Sequence, residues 1–430
     1  MAVSTPAPEE IITHRTKGIP GGTAPFSIER IAQKRWNVLR GDMPLPLAVL
    51  DEDALTSNAA WMRAFCAERQ VSLAPHGKTT MSPKLFKRQI ENGAWAITLS
   101  TAHQVQVARD FGIQRILVAN QVIDERFLGY LFEELDRDES FDVLVLMDSA
   151  EAVHLAVNLW ERNGCQRALG VLIEVGVAGG RTGVRDCDEA IALAKKVASC
   201  GGALKLRGIG GFEGIFSGPA EANIAHVDGL LSSVVKVAEG CDAAGLFSSE
   251  IVLSAGGSAY FDRVVEIFGT ARLSGRPRIV LRSGCYIAHD NRMYTDYFAA
   301  LSDRISATAL PAGTPRPALR VLARVQSVPE PGLALLSAGK RDVSYDVHLP
   351  IVTHVIRSGG DGRPVPLMGC EIFSLADQHA FMRKPAELEF KIGDIVILGI
   401  SHPCTTFDKW DVIYGVDGEL NIISAYKTYF

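Results

Sequence analysis

The sequence predicts an α/β protein: a (β/α)8 TIM-type barrel followed by a C-terminal all-β domain. Three observations carry this. Between about residues 47 and 285, eight short apolar runs alternate with amphipathic stretches long enough for helices, the pattern of repeated βα units feeding one parallel sheet. Eight consecutive units over roughly 250 residues match a closed barrel better than an open sheet. The first run leads into VSLAPHGKTT, which lacks the glycine fingerprint of a dinucleotide-binding fold. Past residue 300 the texture changes to Pro and Gly turns between strand-like runs, which marks a second, all-β unit.

In chain order, residues 1–25 are rich in Pro, Gly and Thr without periodicity, so they form a tail or an arm that orders against a partner subunit. The stretch PLAVLDEDALTSNAAWMRAFCAERQ (46–70) holds a strand and a helix ahead of the barrel proper, and the N-terminal segment is expected to cross into the β domain. The barrel strands are VSLA (71–74), WAIT (95–98), RILV (115–118), DVLVLM (142–147), ALGVLI (168–173), KLRGIG (205–210), IVLS (251–254) and RIVL (278–281). Later runs such as RVLARVQSV, LALLSAG, IVTHVI, GDIVILGI and NIISAY build the β domain. The expected division is 1–45 as an arm or strand contributing to the β domain, 46–300 as the barrel and 301–430 as the β domain.

Composition narrows the function. Of 430 residues, 47% are apolar and 22% charged, globular values that exclude disorder, collagen and coiled coil as the main architecture. Lys plus Arg number 44 against 49 Asp plus Glu, a net charge of −5. That balance offers no field for steering onto nucleic acid or an anionic membrane, so a small-molecule substrate is expected. Eight cysteines lack framework spacing, which fits a reducing cytoplasm. The N-terminus carries acids and prolines where a signal peptide needs a basic start and an apolar run, and no window holds eighteen uninterrupted apolar residues. Neither export nor membrane spanning is expected.

Chemistry in such a barrel gathers at the C-terminal ends of the strands. The first strand ends in Pro75-His76-Gly77-Lys78-Thr79. Lys78 is either a solvated loop lysine or an amine in a partly desolvated pocket, able to form an imine with a carbonyl compound. After the seventh strand, Ser254-Ala255-Gly256-Gly257-Ser258 precedes a helix. Its small residues leave backbone N–H groups free for a phosphate, although a tight turn accounts for them equally simply. The fifth strand opens into the glycine-rich loop carrying Arg181; the sixth ends in Gly210-Gly211-Phe212-Glu213-Gly214 and the eighth in Arg282-Ser283-Gly284-Cys285-Tyr286. In the β domain, Ser401-His402-Pro403-Cys404 follows GDIVILGI. On an extended strand, positions i and i+2 share a side, so His402 and Cys404 can offer a nitrogen and a thiolate to one metal ion; an unpaired histidine and a buried cysteine are the plainer reading.

Together these segments resemble the fold-type III pyridoxal-phosphate enzymes, the alanine racemase-like group, and within it the D-serine dehydratase and D-threonine aldolase family. PHGKT (75–79), EVGVAGGRTGV (174–184), GGFEG (210–214), SAGGS (254–258), RSGCY (282–286) and GDIVILGISHPC (393–404) occur in family order. The resemblance implies Lys78 as the Schiff-base lysine and Gly256, Gly257 and Ser258 as holders of the cofactor phosphate. It places His76 and Arg181 around the ring or its 3′ oxygen, adds Tyr286 to the cofactor-binding set, and makes His402 and Cys404 ligands of a divalent metal, zinc or else manganese, magnesium or cobalt. It further implies a head-to-tail homodimer, with KRDVSYD (340–346) either completing a neighbour's site or forming a polar turn. The dehydratase branch carries His-x-Cys and the aldolase branch His-x-Asp, so Cys404 points to β-elimination from a D-β-hydroxy amino acid, giving a 2-oxo acid and ammonia. The alternative is retro-aldol cleavage to glycine and an aldehyde. A racemase needs a second acid or base that the sequence does not identify, and non-catalytic cofactor-binding barrels lack the β domain. Gly176, the Thr-Thr-Met after Lys78, and Ser283 depart from common family residues.

Overall fold

A computed structural model describes residues 8–216, 220–257, 259–305 and 310–430. After a short antiparallel pair, β1 (Ile11–Ile12) with β2 (Phe26–Ser27), the chain runs through β3 (Leu47–Asp51) into α1 (Glu52–Arg69). Asp51 accepts a hydrogen bond from the Ala54 amide and so caps α1, and Gln70 ends the helix in a left-handed conformation.

Eight parallel strands follow: β4 (Ser72–Leu73), β5 (Ile97–Leu99), β6 (Arg115–Gln121), β7 (Asp142–Met147), β8 (Leu169–Val175), β9 (Leu204–Gly211), β10 (Val252–Ala255) and β11 (Arg278–Leu281). Their order is β4-β11-β10-β9-β8-β7-β6-β5. The ring closes where the Trp95 amide donates to Leu73 O at 2.7 Å and the Thr98 amide to Pro75 O at 2.9 Å. The helices after the strands are α2 (Pro83–Glu91), α3 (Ala102–Asp110), α4 (Glu125–Arg137), α5 (Ala150–Asn163), α6 (Cys187–Ser199), α7 (Ala220–Ala243), α8 (Phe261–Phe268) and α9 (Met293–Arg304). The (β/α)8 barrel read from the apolar runs is the fold. Ala74, Ala96, Leu117, Leu144, Leu172, Val252 and Val280 form one buried cluster inside it, while a larger cluster packs strands against helices.

The β domain holds β12 (Leu319–Glu330), β13 (Leu333–Leu336), β14 (Ile351–Ile356), β15 (Val365–Pro366), β16 (Glu371–Leu375), β17 (Ala380–Arg383), β18 (Ile395–Gly399), β19 (Val412–Val416) and β20 (Ile422–Lys427), with the short helix α10 (Pro403–Phe407) after β18. β3 joins this sheet, antiparallel to β12 and parallel to β19. The chain therefore leaves the β sheet only at α1. Among the described residues no helix is long and apolar enough to cross a membrane.

Packing at the barrel mouth is tight. A Cβ on Gly284 would lie 2.5 Å from His76 O, so the loop after β11 rests directly on the loop after β4. Gly284→Ala is expected to cost about 1–3 kcal/mol of stability through overpacking, read as a lowered denaturation midpoint.

Candidate active site

Beyond β4 the chain turns through a single 3-10 turn, Gly77–Thr79, which carries Lys78 to the wall of a cavity of about 390 Å³. His76, Thr79, Arg181, Phe212, Gly256, Arg282, Cys285, His402 and Cys404 share that wall. The loop after β4, the glycine-rich loop after β8, the ends of β9 to β11 and the β domain thus converge on one space, as strand ends in a barrel do.

His76 is held by Ser100, whose Oγ lies 3.2 Å from Nε2, while its Nδ1 is buried without a partner. Burial first, then the charges of Lys78, Arg282 and Arg181, hold its pKa well below the ordinary value. The imidazole is neutral at neutral pH and has one ring nitrogen still to satisfy. The Arg181 guanidinium stacks 4.7 Å from the Phe212 ring centroid. Behind the cavity, fully buried Arg282 donates to Ser254 Oγ at 3.0 Å and to Gly211 O at 2.7 Å. Glu174 and Glu213 compensate its charge, and Glu174 accepts a hydrogen bond from Gln121.

The loop after β10 binds an anion from within the protein. The Gly256 amide donates to Glu213 Oε2 at 2.9 Å, and the Gly257 amide donates to Glu213 Oε1. Burial pushes the Glu213 pKa up against these bonds. The loop therefore has the anion-binding character that its glycines suggest, but both N–H groups are taken. They can hold a phosphate only when Glu213 yields them. Ser258 lies outside the described residues.

Tyr286 does not join the set. It follows Cys285 in the 3-10 turn Cys285–Ile287 and lines a separate apolar cavity with Trp61, Phe261 and Tyr294. There its hydroxyl bonds Gln89 and its pKa is raised by burial. Successive residues of such a turn point different ways, so Cys285 takes the place at the main cavity instead.

His402 and Cys404 do meet at the cavity, though not as alternate residues of a strand. β18 ends at Gly399; His402 is the extended residue before α10 and Cys404 lies in that helix's first turn. His402 Nδ1 lies 2.6 Å from Asp346 Oδ2, and Thr405 Oγ1 donates to Asp346 Oδ1 at 2.7 Å. Asp346, from the KRDVSYD segment, thus braces a histidine of its own chain. The Cys404 sulfur lies 3.4 Å from Cys285 Sγ and 3.5 Å from Thr79 Oγ1. Bonding to Cys285, with help from His402 and Thr79, holds the Cys404 thiol pKa well below normal. The Cys404 sulfur in turn, with Asp346, raises that of His402 to about 9. Both shifts favour the charged forms of the pair.

Among the described residues no group of three or more His, Cys, Asp and Glu side chains forms a metal cage. The donors nonetheless suit a divalent ion: a thiolate, and an imidazole with one nitrogen fixed by a carboxylate, the usual brace of a metal-binding histidine. Cofactor chemistry also fits, since an amine, an unpartnered imidazole nitrogen, an arginine and an anion-binding loop line one cavity. Sequence reasoning passed over Arg282, Glu213, Cys285 and Thr79, although each lies in a quoted motif. Charged residues inside apolar strand ends were the available signal for the first two.

A family model described as a putative serine dehydratase domain matches residues 318–416. A D-threonine aldolase from an Arthrobacter species is 25% identical over 371 residues, 85% of this chain and 87% of that protein. Among solved structures, the D-threo-3-hydroxyaspartate dehydratase of Delftia sp. HT23 superposes with a TM-score of 0.69 at 21% identity, covering 91% of this chain and 99% of that one. Alanine racemase of Clostridium difficile 630, in complex with cycloserine, gives a TM-score of 0.61 at 12% identity over 90% and 99%.

Proposed function

We propose that the chain is an alanine racemase-like pyridoxal-phosphate enzyme of fold type III, a lyase of D-β-hydroxy amino acids that works by β-elimination, releasing a 2-oxo acid and ammonia; the similarities to the serine dehydratase domain model and to D-threonine aldolase support this reading. The carrying observation is that Cys404 and His402 stand on the same cavity wall as Lys78. In its His-x-Cys pair the chain resembles the dehydratase branch, and this supports elimination.

Bound pyridoxal phosphate supplies an electron sink for charge at the substrate α-carbon. Lys78 Nζ would hold the cofactor, and its free amine would serve as the base for the substrate α-proton. Neutral His76 would present a ring nitrogen to the cofactor without adding charge, and Arg181 would supply a cation at the cavity edge. Arg282 is spent on Ser254 and Gly211 and serves as a fixed positive charge behind the site. His402 and Cys404 would hold a divalent metal, whose chemistry there would be Lewis-acid help to a leaving hydroxyl. Asp346 fixes the His402 ring so that its other nitrogen is the one offered.

One consequence concerns pH. In metal-free protein His402 keeps its proton up to about 9, so metal binding at neutral pH must expel it, whereas Cys404 has already lost its own. Metal affinity is expected to rise about tenfold per pH unit from 7 toward 9 and then level off, with one proton released per ion. A competition titration with a metal indicator at several pH values reads this directly; a flat profile removes the imidazolium from the site.

Incubation with D- and L-forms of serine, threonine and 3-hydroxyaspartate, followed by assay for oxo acid, ammonia, glycine and aldehyde, tests the reaction itself. Oxo acid with equimolar ammonia from D-forms is expected. Glycine with an aldehyde would replace elimination by retro-aldol cleavage, the reading favoured by the similarity to D-threonine aldolase.

A further inference from the structure

Cys285 and Cys404 are 119 residues apart in sequence and come from different domains, one from the turn after β11 and the other from the helix after β18. Their sulfurs face each other at 3.4 Å across the cavity wall. Thr79 Oγ1 lies 3.6 Å from the first and 3.5 Å from the second. No other two cysteine sulfurs are within hydrogen-bonding reach among the described residues, and all eight cysteines are free.

We propose that Cys285 and Cys404 are a reversible oxidation site that a hydroperoxide converts to a disulfide across the cavity mouth. The two sulfurs need to close by about 1.4 Å to reach the roughly 2.0 Å of an S–S bond. Cys404 is the attacking partner. It lines the cavity and is partly exposed, whereas Cys285 is buried.

The steps balance without further reagents. The Cys404 sulfur attacks the peroxide's outer oxygen as the O–O bond breaks; the thiol proton goes to the departing oxygen, which leaves as an alcohol or water, and Cys404 becomes a sulfenic acid. Cys285 sulfur then attacks the Cys404 sulfur; the S–S bond forms and hydroxide leaves, taking the Cys285 proton as water. Two thiols are oxidised and one peroxide reduced, two electrons in all. Cys404 is then withdrawn from the cavity chemistry, and the barrel is tied to the β domain. This goes beyond the lyase reading and stands on the sulfur geometry alone.

The test uses the full-length protein with a chelator present, exposed to a hydroperoxide, then alkylated and digested without reductant. The expected result is a disulfide-linked peptide pair holding Cys285 and Cys404, the loss of two of eight free thiols, and full return of both after dithiothreitol. In Cys285→Ser protein the expected product is Cys404 sulfinic acid, which dithiothreitol does not reverse. Wild-type protein that yields Cys404 sulfinic acid with Cys285 still alkylated would overturn the proposal, as would Cys285→Ser protein that recovers like wild type. Thiol counts and peptide masses do not depend on catalysis, so these outcomes stand apart from any failure of the lyase reading.

Discussion

Lys78→Ala is expected to lower turnover by on the order of 10⁴-fold, the upper range for removing a positioned acid-base group, and to abolish visible absorbance from a covalently held cofactor. In wild-type protein, borohydride should fix the cofactor on the peptide containing Lys78. The expectation rests on position. Lys78 sits in a turn whose backbone is held by the Thr79 amide bonding His76 O and the Thr80 amide bonding Gly77 O, so the side chain leaves a fixed base. It enters a cavity whose other basic groups have assignments: Arg282 is bonded to Ser254 and Gly211, and Arg181 lies over Phe212. Label on any lysine other than Lys78 would remove it from the role.

The second large effect is at Cys404. Cys404→Ala is expected to reduce β-elimination by roughly 100-fold or more, equivalent to about 3 kcal/mol of lost stabilisation on the departing hydroxyl, while cofactor absorbance stays unchanged. Chelation should reproduce the phenotype in wild-type protein, and zinc or manganese should reverse the chelation but not the mutation. Cofactor and metal functions separate because they draw on different walls of one cavity, Lys78, His76 and Arg181 on the barrel side and His402 and Cys404 on the β-domain side. Cys404→Asp should restore a metal site with harder ligands and shift metal preference or the split between elimination and retro-aldol cleavage. Full activity in metal-depleted Cys404→Ala protein would leave an enzyme that needs no metal.

Sequence pattern located all eight barrel strands because most are short, largely buried apolar runs such as residues 143–147 and Leu169–Val175, a signal confined to neighbouring residues. It also located most of the cavity wall, since a barrel delivers its strand ends to one mouth whatever the loops contain. His76, Lys78, Arg181, Gly256, His402 and Cys404 could therefore be named before any coordinates. Tyr286 lines a different cavity for a local reason. Its motif ends in a single turn, and a turn's neighbours diverge by more than the motif can specify, so Cys285 faces the cavity and Tyr286 the apolar pocket.

What the linear chain determined by itself is whatever short-range periodicity encodes: the barrel, the all-β unit after it, and the motifs at the strand ends. Tertiary structure alone decided the pairings. Glu213 occupying the Gly256 and Gly257 amides, Asp346 bracing His402, and Cys285 meeting Cys404 each join residues 43 to 119 positions apart. No periodicity spans such separations. Those contacts exist because burial inside a closed barrel forces each polar group to find a partner wherever the fold brings one within reach, and that reach is set by packing between domains rather than by sequence spacing.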